Sequence, residues 1–151
     1  MSVAVFVLCT VIGVADGDSL KVQCKERQKT ISVRLAEIDA PEREHKAFGI
    51  KPQPFGAESR ANLASLCQGK PATVRRITFD RYGRTVAKVT CNGVDVNAEQ
   101  VRDGMAWAYT PTLGKRSKMP EIEKSARDAH AGLWADPAAV APWLWRKKYP
   151  L

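Results

Sequence analysis

Carboxylates and arginines stand at the ends of apolar, strand-like runs in this chain. The segments that carry them are Asp16-Gly17-Asp18-Ser19, Arg34 to Glu42, and Asp80-Arg81-Tyr82-Gly83-Arg84. Carboxylate oxygens bind hard cations, and guanidinium groups bind phosphate oxygens. A rigid sheet that held both kinds of group together would suit chemistry at a phosphate. The 24 Lys and Arg outnumber the 16 Asp and Glu, giving a formal net charge of +8, which favours an acidic polymer as the partner.

The strands that position these residues begin with a hairpin. A two-residue turn at Asp16-Gly17, of the Asp-Gly type that favours tight hairpins, predicts that Ala15 faces Asp18, Gly13 faces Leu20, Val11 faces Val22 and Cys9 faces Cys24. The four cysteines have no CxxC spacing. We therefore interpret them as two disulfides formed in an oxidising compartment, Cys9 with Cys24 and Cys67 with Cys91; buried free thiols are the alternative.

A later strand and a proline bend carry the second group of polar residues. The strand runs from Thr30 to Ile38 and places Arg34 on the face opposite its apolar side chains. Ala40-Pro41 ends it, because proline and the residue before it favour an extended, stiff turn. This bend supports Asp39 and Glu42 on its two sides.

Further elements follow from the sequence pattern. The residues from Arg43 to Pro54 predict a surface loop. After it we expect a helix from Ala57 to Cys67, strands at Ala72 to Phe79 and Thr85 to Cys91, a turn at Asn92-Gly93, a short helix capped by Asn97 and ending at Asp103, and a helix from near Pro120 that stops before Gly132.

Several motifs carry a family resemblance when they are taken together. In order they are DGDS, VRLAEIDAPE, PFGAES, DRYGRTVAKV, GVDVNAEQVRDGMAW and GLWADP, from about Thr10 to about Pro137. This series resembles the staphylococcal-nuclease (thermonuclease) family, in its single-domain bacterial form. The resemblance implies an α+β, mainly β fold: an OB-type barrel of five strands with about three helices. We expect one domain over residues 1–151, with 138–151 as a tail rich in Pro, Trp and basic residues.

The resemblance also implies a metal site. Asp18 and Asp39 would be calcium ligands together with the backbone carbonyl of Ala40, and Asp16 would contribute through water. Taken alone, two aspartates near turns are common and need bind nothing. Neither His45 nor His130 has a partner at zinc-ligand spacing, so zinc is not expected.

Catalytic and substrate-binding residues are assigned in the same way. Arg34 and Arg84 match the two catalytic arginines of the family, whose planar forks suit the charge of a pentacoordinate phosphoryl transition state. Glu42 is the candidate general base, although the sequence leaves open whether it removes a proton or only orients water. Tyr82 and Tyr109 are candidates for stacking on a nucleotide. The family's second tyrosine aligns between Tyr109 and Thr110, so either position matches it.

The implied function is calcium-dependent hydrolysis of DNA and RNA with weak sequence preference, leaving 3′-phosphate ends. We expect a secreted or periplasmic monomer that prefers single-stranded or frayed substrates. The main alternative is a non-catalytic OB-type nucleic-acid-binding domain, which would be expected to lose the carboxylates or arginines kept here. A dedicated plasmid or repair nuclease of the same fold is a third possibility.

No stretch of the sequence approaches the roughly 18 to 20 continuous apolar residues of a membrane span. The apolar run from Val3 to Ala15 resembles the core of a signal peptide but lacks a preceding basic region. We interpret most of it as a barrel strand, with only the first few residues as a leader remnant.

Overall fold

A computed structural model describes residues 6–26, 29–43 and 51–150. Its strands are β1 (Phe6–Asp16), β2 (Ser19–Cys24), β3 (Thr30–Leu35), β4 (Ile38–Asp39), β5 (Pro71–Phe79), β6 (Thr85–Cys91), β7 (Val94–Asp95) and β8 (Trp107–Ala108). Its α-helices are α1 (Gly56–Cys67), α2 (Val96–Arg102), α3 (Met119–Asp128) and α4 (Pro142–Lys148). Residues 44–50, with most of the expected loop and His45, lie outside the described residues, as does the start of the apolar run.

Five of the strands form a closed barrel. The antiparallel order is β3-β2-β1-β5-β6, and a parallel pairing of β3 with β6 closes the sheet, with Arg34 opposite Val86. This mixed barrel with its helices confirms the expected α+β, OB-type fold. The expected helices correspond to α1, α2 and α3, and α4 is an additional short helix within the predicted tail.

The first hairpin follows the predicted register only over its first half. Cys9 faces Cys24 and Val11 faces Val22, but two bulges then shift the pairing, so that Gly13 faces Lys21 and Val14 faces Leu20. The turn residues are Gly17 and Asp18, flanked by the pair Asp16 and Ser19. The predicted Asp16-Gly17 turn, and the pairs Gly13–Leu20 and Ala15–Asp18, are therefore wrong. The bulges change which side chains face inward, which allows Val14 to join the core opposite Leu20.

The core fills the barrel and continues beneath α1 and α2. Leu20 and Leu35 from the barrel, Leu63 from α1 and Val101 from α2 are each at most 1% exposed. Both expected disulfides are present. Cys9–Cys24 links β1 to β2, and Cys67–Cys91 links the end of α1 to β6.

The third strand is shorter than predicted because the chain leaves the barrel after Leu35. Glu37 has a φ of 69°, and the next two residues form β4, which pairs with β8 instead of continuing in the barrel. In that pairing Asp39 lies opposite Trp107. This change of direction carries Asp39 away from the barrel wall.

The helix cap predicted at Asn97 is wrong. Asp95 caps α2 by accepting a hydrogen bond from the backbone N–H of Ala98 at 3.1 Å. Asn97 is instead buried, and its side chain accepts from the Val89 N–H and donates to the carbonyls of Ala36 and Ala87. It thereby bonds β6 to the segment that follows β3. Across the described ranges, the helices are all too short or too polar to cross a membrane.

Candidate active site

All nine residues that the sequence analysis selected lie around one groove. Its volume is about 690 Å³. It forms where the end of β3, the bend that follows and the loop between β5 and β6 meet. The nine residues are Asp16, Asp18, Arg34, Asp39, Ala40, Glu42, Tyr82, Arg84 and Tyr109.

Asp18 is held in place by the turn that carries it. A Cβ atom on Gly17 would lie only 1.8 Å from the Ser59 hydroxyl oxygen, so this turn packs against α1 only with glycine there. The Asp18 side chain accepts a hydrogen bond from the Ala40 N–H at 2.8 Å, and its backbone carbonyl accepts one from the Leu35 N–H at 2.8 Å. The Asp18 turn is thus fixed to both ends of the bend.

Arg34 lies between the two carboxylates of the predicted metal site. Its Nη1 is 3.3 Å from Asp18 Oδ2, and its Nη2 is 3.3 Å from Asp39 Oδ1. Its Nη1 also donates to the carbonyl of Leu35 at 3.0 Å, which fixes the guanidinium against its own strand. One planar cation therefore contacts both acids.

Asp39 is the most buried acid of the groove, with 1% exposure. Burial raises its pKa to about 6; the nearby Asp18 adds to this effect, and bonds from Arg146 and Arg34 oppose it. A carboxylate that is costly to ionise in isolation favours additional positive charge beside it.

The residues present fit a hard divalent cation. A single guanidinium reaches both Asp18 and Asp39, so the carboxylates are close enough to share a positive charge. Their donor atoms are all oxygen, as calcium prefers. In the described ranges, no three His, Cys, Asp or Glu side chains cluster as a metal site. The Ala40 carbonyl, next to Asp39 in the chain, is the candidate for a third protein oxygen.

Arg146 is a residue of this groove that the sequence analysis did not select. Its Nη2 is 2.6 Å from Asp39 Oδ2, and its Nη1 is 3.2 Å from Asp39 Oδ1 and 2.5 Å from Glu42 Oε1. Burial lowers the pKa of Arg146, but the bonds to these two acids outweigh it and the net pKa is raised. No spacing rule could have found this contact, since Arg146 and Asp39 are 107 positions apart.

The loop between β5 and β6 places Arg84 and Tyr82. Asp80 accepts from the Arg84 N–H at 2.9 Å and from Arg84 Nε at 2.7 Å. Burial by itself would raise the pKa of Asp80, but these bonds from Arg84 and one from the Tyr82 N–H lower it. Asp80 takes Nε, and among the contacts of the described residues the two terminal nitrogens of Arg84 are left as donors for a ligand.

The two tyrosines differ in their surroundings. Tyr82 is 69% exposed, and the guanidinium of Arg81 lies 5.0 Å from its ring centre. Tyr109 is half-buried and packs edge-on against Trp143 at 5.5 Å. Tyr109 lines the groove whereas Thr110 does not, which makes Tyr109 the better candidate of the two alignments.

Asp16 lines the groove and contacts two neighbouring side chains. Its carboxylate is 3.6 Å from Arg43 Nε and accepts a hydrogen bond from the Ser19 hydroxyl at 3.3 Å. Its expected contact with a cation through water stays a prediction. His130, with positive φ at the end of α3, lies outside the groove.

Comparison with known proteins agrees with this geometry. Residues 32–136 match the family model described as staphylococcal nuclease homologue. A micrococcal nuclease of Shigella flexneri is 39% identical, with 91% of this chain and 79% of the relative covered. A protein of Escherichia coli O157:H7 named uncharacterized endonuclease is 37% identical, with 91% and 84% covered. The staphylococcal-like nuclease CAN1 of Arabidopsis thaliana is 36% identical over 79% of this chain but only 34% of its own length.

The motifs, the closed barrel and the matched region therefore agree. Because the family match covers more than half of the chain and the bacterial relatives align over most of their length, a nucleic-acid-hydrolysing function is supported. The chain belongs to the staphylococcal nuclease family.

Proposed function

We propose that this protein is a calcium-dependent nuclease that hydrolyses phosphodiester bonds in DNA and RNA with low sequence specificity. The observation that carries the proposal is that one groove gathers the two bridged carboxylates, a third acid, Glu42, and the arginines Arg34 and Arg84. Phosphodiester hydrolysis requires an activated water, charge neutralisation on the phosphate and a fixed geometry. The groove provides side chains for each of these needs.

Arg34 and Arg84 would bind the phosphate from two sides of the groove. Each is held by acids, Arg34 by Asp18 and Asp39 and Arg84 by Asp80, so little reorganisation is needed when charge develops. Guanidinium donors strengthen their bonds to the non-bridging oxygens as those oxygens become more negative. Their effect would therefore appear mainly in the transition state.

Calcium held by Asp18, Asp39 and the Ala40 carbonyl would supply further positive charge at the phosphate. Support comes from the all-oxygen donor set of these groups, which is the set that calcium prefers. Asp16 would act through water.

Glu42 would serve as the base. It accepts the proton of a water whose oxygen bonds to phosphorus, while the bond from phosphorus to the 5′ oxygen of the next nucleotide breaks. The leaving oxygen takes a proton from solvent, so the products are a 3′-phosphate and a 5′-hydroxyl. Glu42 follows Asp39 by three positions across the Pro41 bend, which places it at the same groove.

The substrate would be a single-stranded or frayed strand. Tyr82 offers an exposed ring and Tyr109 a partly covered one on which bases can stack without regard to sequence. The net charge of +8 adds sequence-independent attraction for phosphates.

The two disulfides are typical of proteins outside the reducing cytosol. We accordingly propose a secreted or periplasmic monomer.

Digestion of four substrates tests the proposal. Single- and double-stranded DNA and RNA are incubated with purified protein plus calcium, magnesium or chelator, and product ends are identified by their response to a 3′-phosphatase. We expect cleavage of all four with calcium, none with chelator, and 3′-phosphate ends. Tight binding of the strands without any cleavage would instead identify a non-catalytic nucleic-acid-binding domain.

A further inference from the structure

The C-terminal segment from Ala138 to Lys148 contacts the side chain of Glu42 directly and reaches its backbone through Gln53. At the backbone, the Glu42 N–H donates to Gln53 Oε1 at 3.1 Å, and the Gln53 N–H donates to the Glu42 carbonyl at 2.8 Å. The buried Gln53 side chain also donates to the Val140 carbonyl at 2.5 Å. At the side chain, Arg146 holds the Glu42 carboxylate.

Aromatic packing fixes the helix that carries Arg146. The Trp143 ring lies 5.9 Å from that of Trp107 and 5.5 Å from that of Tyr109. Trp107 pairs with Asp39 across the ladder of β4 and β8. The helix α4 is therefore seated on the strand next to Asp39, and Arg146 reaches both acids from a defined position.

We propose that Arg146 is a positioning residue for the base Glu42, an assignment that rests on the proposed nuclease function. Its Nη1 lies within hydrogen-bonding distance of both Glu42 Oε1 and Asp39 Oδ1, so one nitrogen sets the spacing between the base and the buried acid. A planar fork fixes two carboxylates relative to each other, which a flexible lysine ammonium does not. Arg146 thus belongs to the active site although it lies in the C-terminal tail.

Asp39 retains capacity for a cation while Arg146 is bound. Each carboxylate oxygen has two acceptor positions. Arg34 and Arg146 share Oδ1, whereas only Arg146 bonds to Oδ2 among the contacts of the described residues. A second partner that orients a ligating carboxylate is common around metal sites, so the bond from Arg146 leaves Asp39 available to a cation.

The test compares Arg146→Ala and Arg146→Lys with Lys147→Ala, which removes a neighbouring charge on the same helix. Melting temperatures identify any variant that fails to fold. If Arg146→Ala is unstable, Arg146→Lys, which keeps the charge, carries the test. We expect both Arg146 variants to lose about 10- to 100-fold in kcat with little change in KM. Lys147→Ala should stay within about twofold of the parent, since surface substitutions away from the site have small effects.

Two further measurements separate positioning from substrate binding or general structure. Affinity for a short single-stranded oligonucleotide, measured by fluorescence anisotropy in chelator, should change no more in Arg146→Lys than in Lys147→Ala. In a double-mutant cycle, adding Arg146→Ala to Glu42→Gln should cost less than about threefold in kcat, because the basic carboxylate that Arg146 positions is already absent.

Additive losses in that cycle, or a loss of oligonucleotide affinity as large as the loss of kcat, would overturn the inference while leaving the nuclease proposal intact. An increase in kcat for Arg146→Ala would also overturn it, since the arginine would then obstruct the groove. Failure of the nuclease proposal is distinct: the parent protein would not cleave, or Glu42→Gln alone would keep full kcat.

Discussion

Gln100 donates a hydrogen bond of 2.7 Å to the carbonyl oxygen of Gly17, the residue directly before Asp18. The same side-chain amide donates to the Ser59 carbonyl at 3.0 Å, and its oxygen accepts from Asn62 at 2.7 Å. Gln100 has no measurable exposure. A fully buried side chain of α2 therefore connects α1 to the turn that carries a proposed metal ligand.

Replacing Gln100 with alanine should destabilise the protein and reduce its activity. The buried carbonyls of Gly17 and Ser59 lose a partner, and each unsatisfied buried group costs about 1–3 kcal/mol. We expect a decrease of at least about 2 kcal/mol in the free energy of unfolding, measured by urea denaturation. Gln68→Ala is the matched control, because the bond of Gln68 to the Ile12 carbonyl is exposed. Equal losses for the two variants would show that the buried network is unimportant.

Arg34→Lys should reduce the rate of cleavage while preserving the charge of the groove. An ammonium group cannot contact Asp18 and Asp39 and also present a planar fork to a phosphate. We expect kcat to fall by on the order of 10². Arg102→Lys, on a surface ion pair with Glu99, provides the control and should leave kcat nearly unchanged. A loss of less than about threefold for Arg34→Lys would contradict its catalytic role.

The raised pKa of Asp39 predicts a specific dependence of stability on pH. This carboxyl binds its proton more tightly in the folded protein, with a pKa of about 6, than in the unfolded chain, where the value is 3.8. Its contribution to stability is therefore full below about pH 4 and is lost as the pH rises through about 6. The corresponding free energy is of the order of 3 kcal/mol, at about 1.4 kcal/mol per pKa unit.

Asp39→Asn removes this titration, so the free energy of unfolding of the variant should rise relative to the parent between about pH 4 and pH 7. Urea denaturation of both proteins in chelator at several pH values measures the difference. A constant difference, or one that changes in the opposite direction, would show that burial does not control this carboxyl.

Binding of nucleic acid should depend strongly on salt and weakly on sequence. Phosphate contacts release counterions, so affinity falls steeply with added salt. The measurement is the affinity of the Glu42→Gln variant for single-stranded oligonucleotides of different sequence. This variant retains the basic surface of the parent protein. We expect similar affinities for all sequences and a steep decrease between low and moderate salt. A flat salt response, or one strongly preferred sequence, would indicate a specific reader.

Local sequence patterns predicted most of the strands and helices, whereas the barrel and the residues of the groove were assigned through the family resemblance. The Pro41 bend, the Asn92-Gly93 turn and the alternation in β6 are local, and short-range sterics determine them. The paired cysteines could be assigned because Cys9 and Cys24 lie in the half of the hairpin with regular register. The motifs supplied the rest, because the spacing within them reflects strand ends that meet at one groove.

The missed features depend on contacts between distant parts of the chain. The bulges in β1 appear because Val14 must face the core, which local alternation does not reveal. Asn97 resembles a helix cap in sequence, yet a cross-barrel network of hydrogen bonds uses its side chain. Arg146 reaches Asp39 only because Trp143 seats α4 near β8. In each case the tertiary environment, rather than the neighbouring sequence, decides the role of the side chain.

The central claim is that Glu42 acts as the base of a phosphodiester hydrolase, and the single-turnover cleavage rate of Glu42→Gln tests it most directly. Glu37→Gln is the control, since Glu37 lines the same groove but pairs with Lys88 at 3.8 Å. With calcium present, we predict that Glu42→Gln lowers the rate by on the order of 10² or more, the usual contribution of a positioned base, while Glu37→Gln changes it little. A rate for Glu42→Gln close to that of the parent, or equal losses in the two variants, would contradict the account.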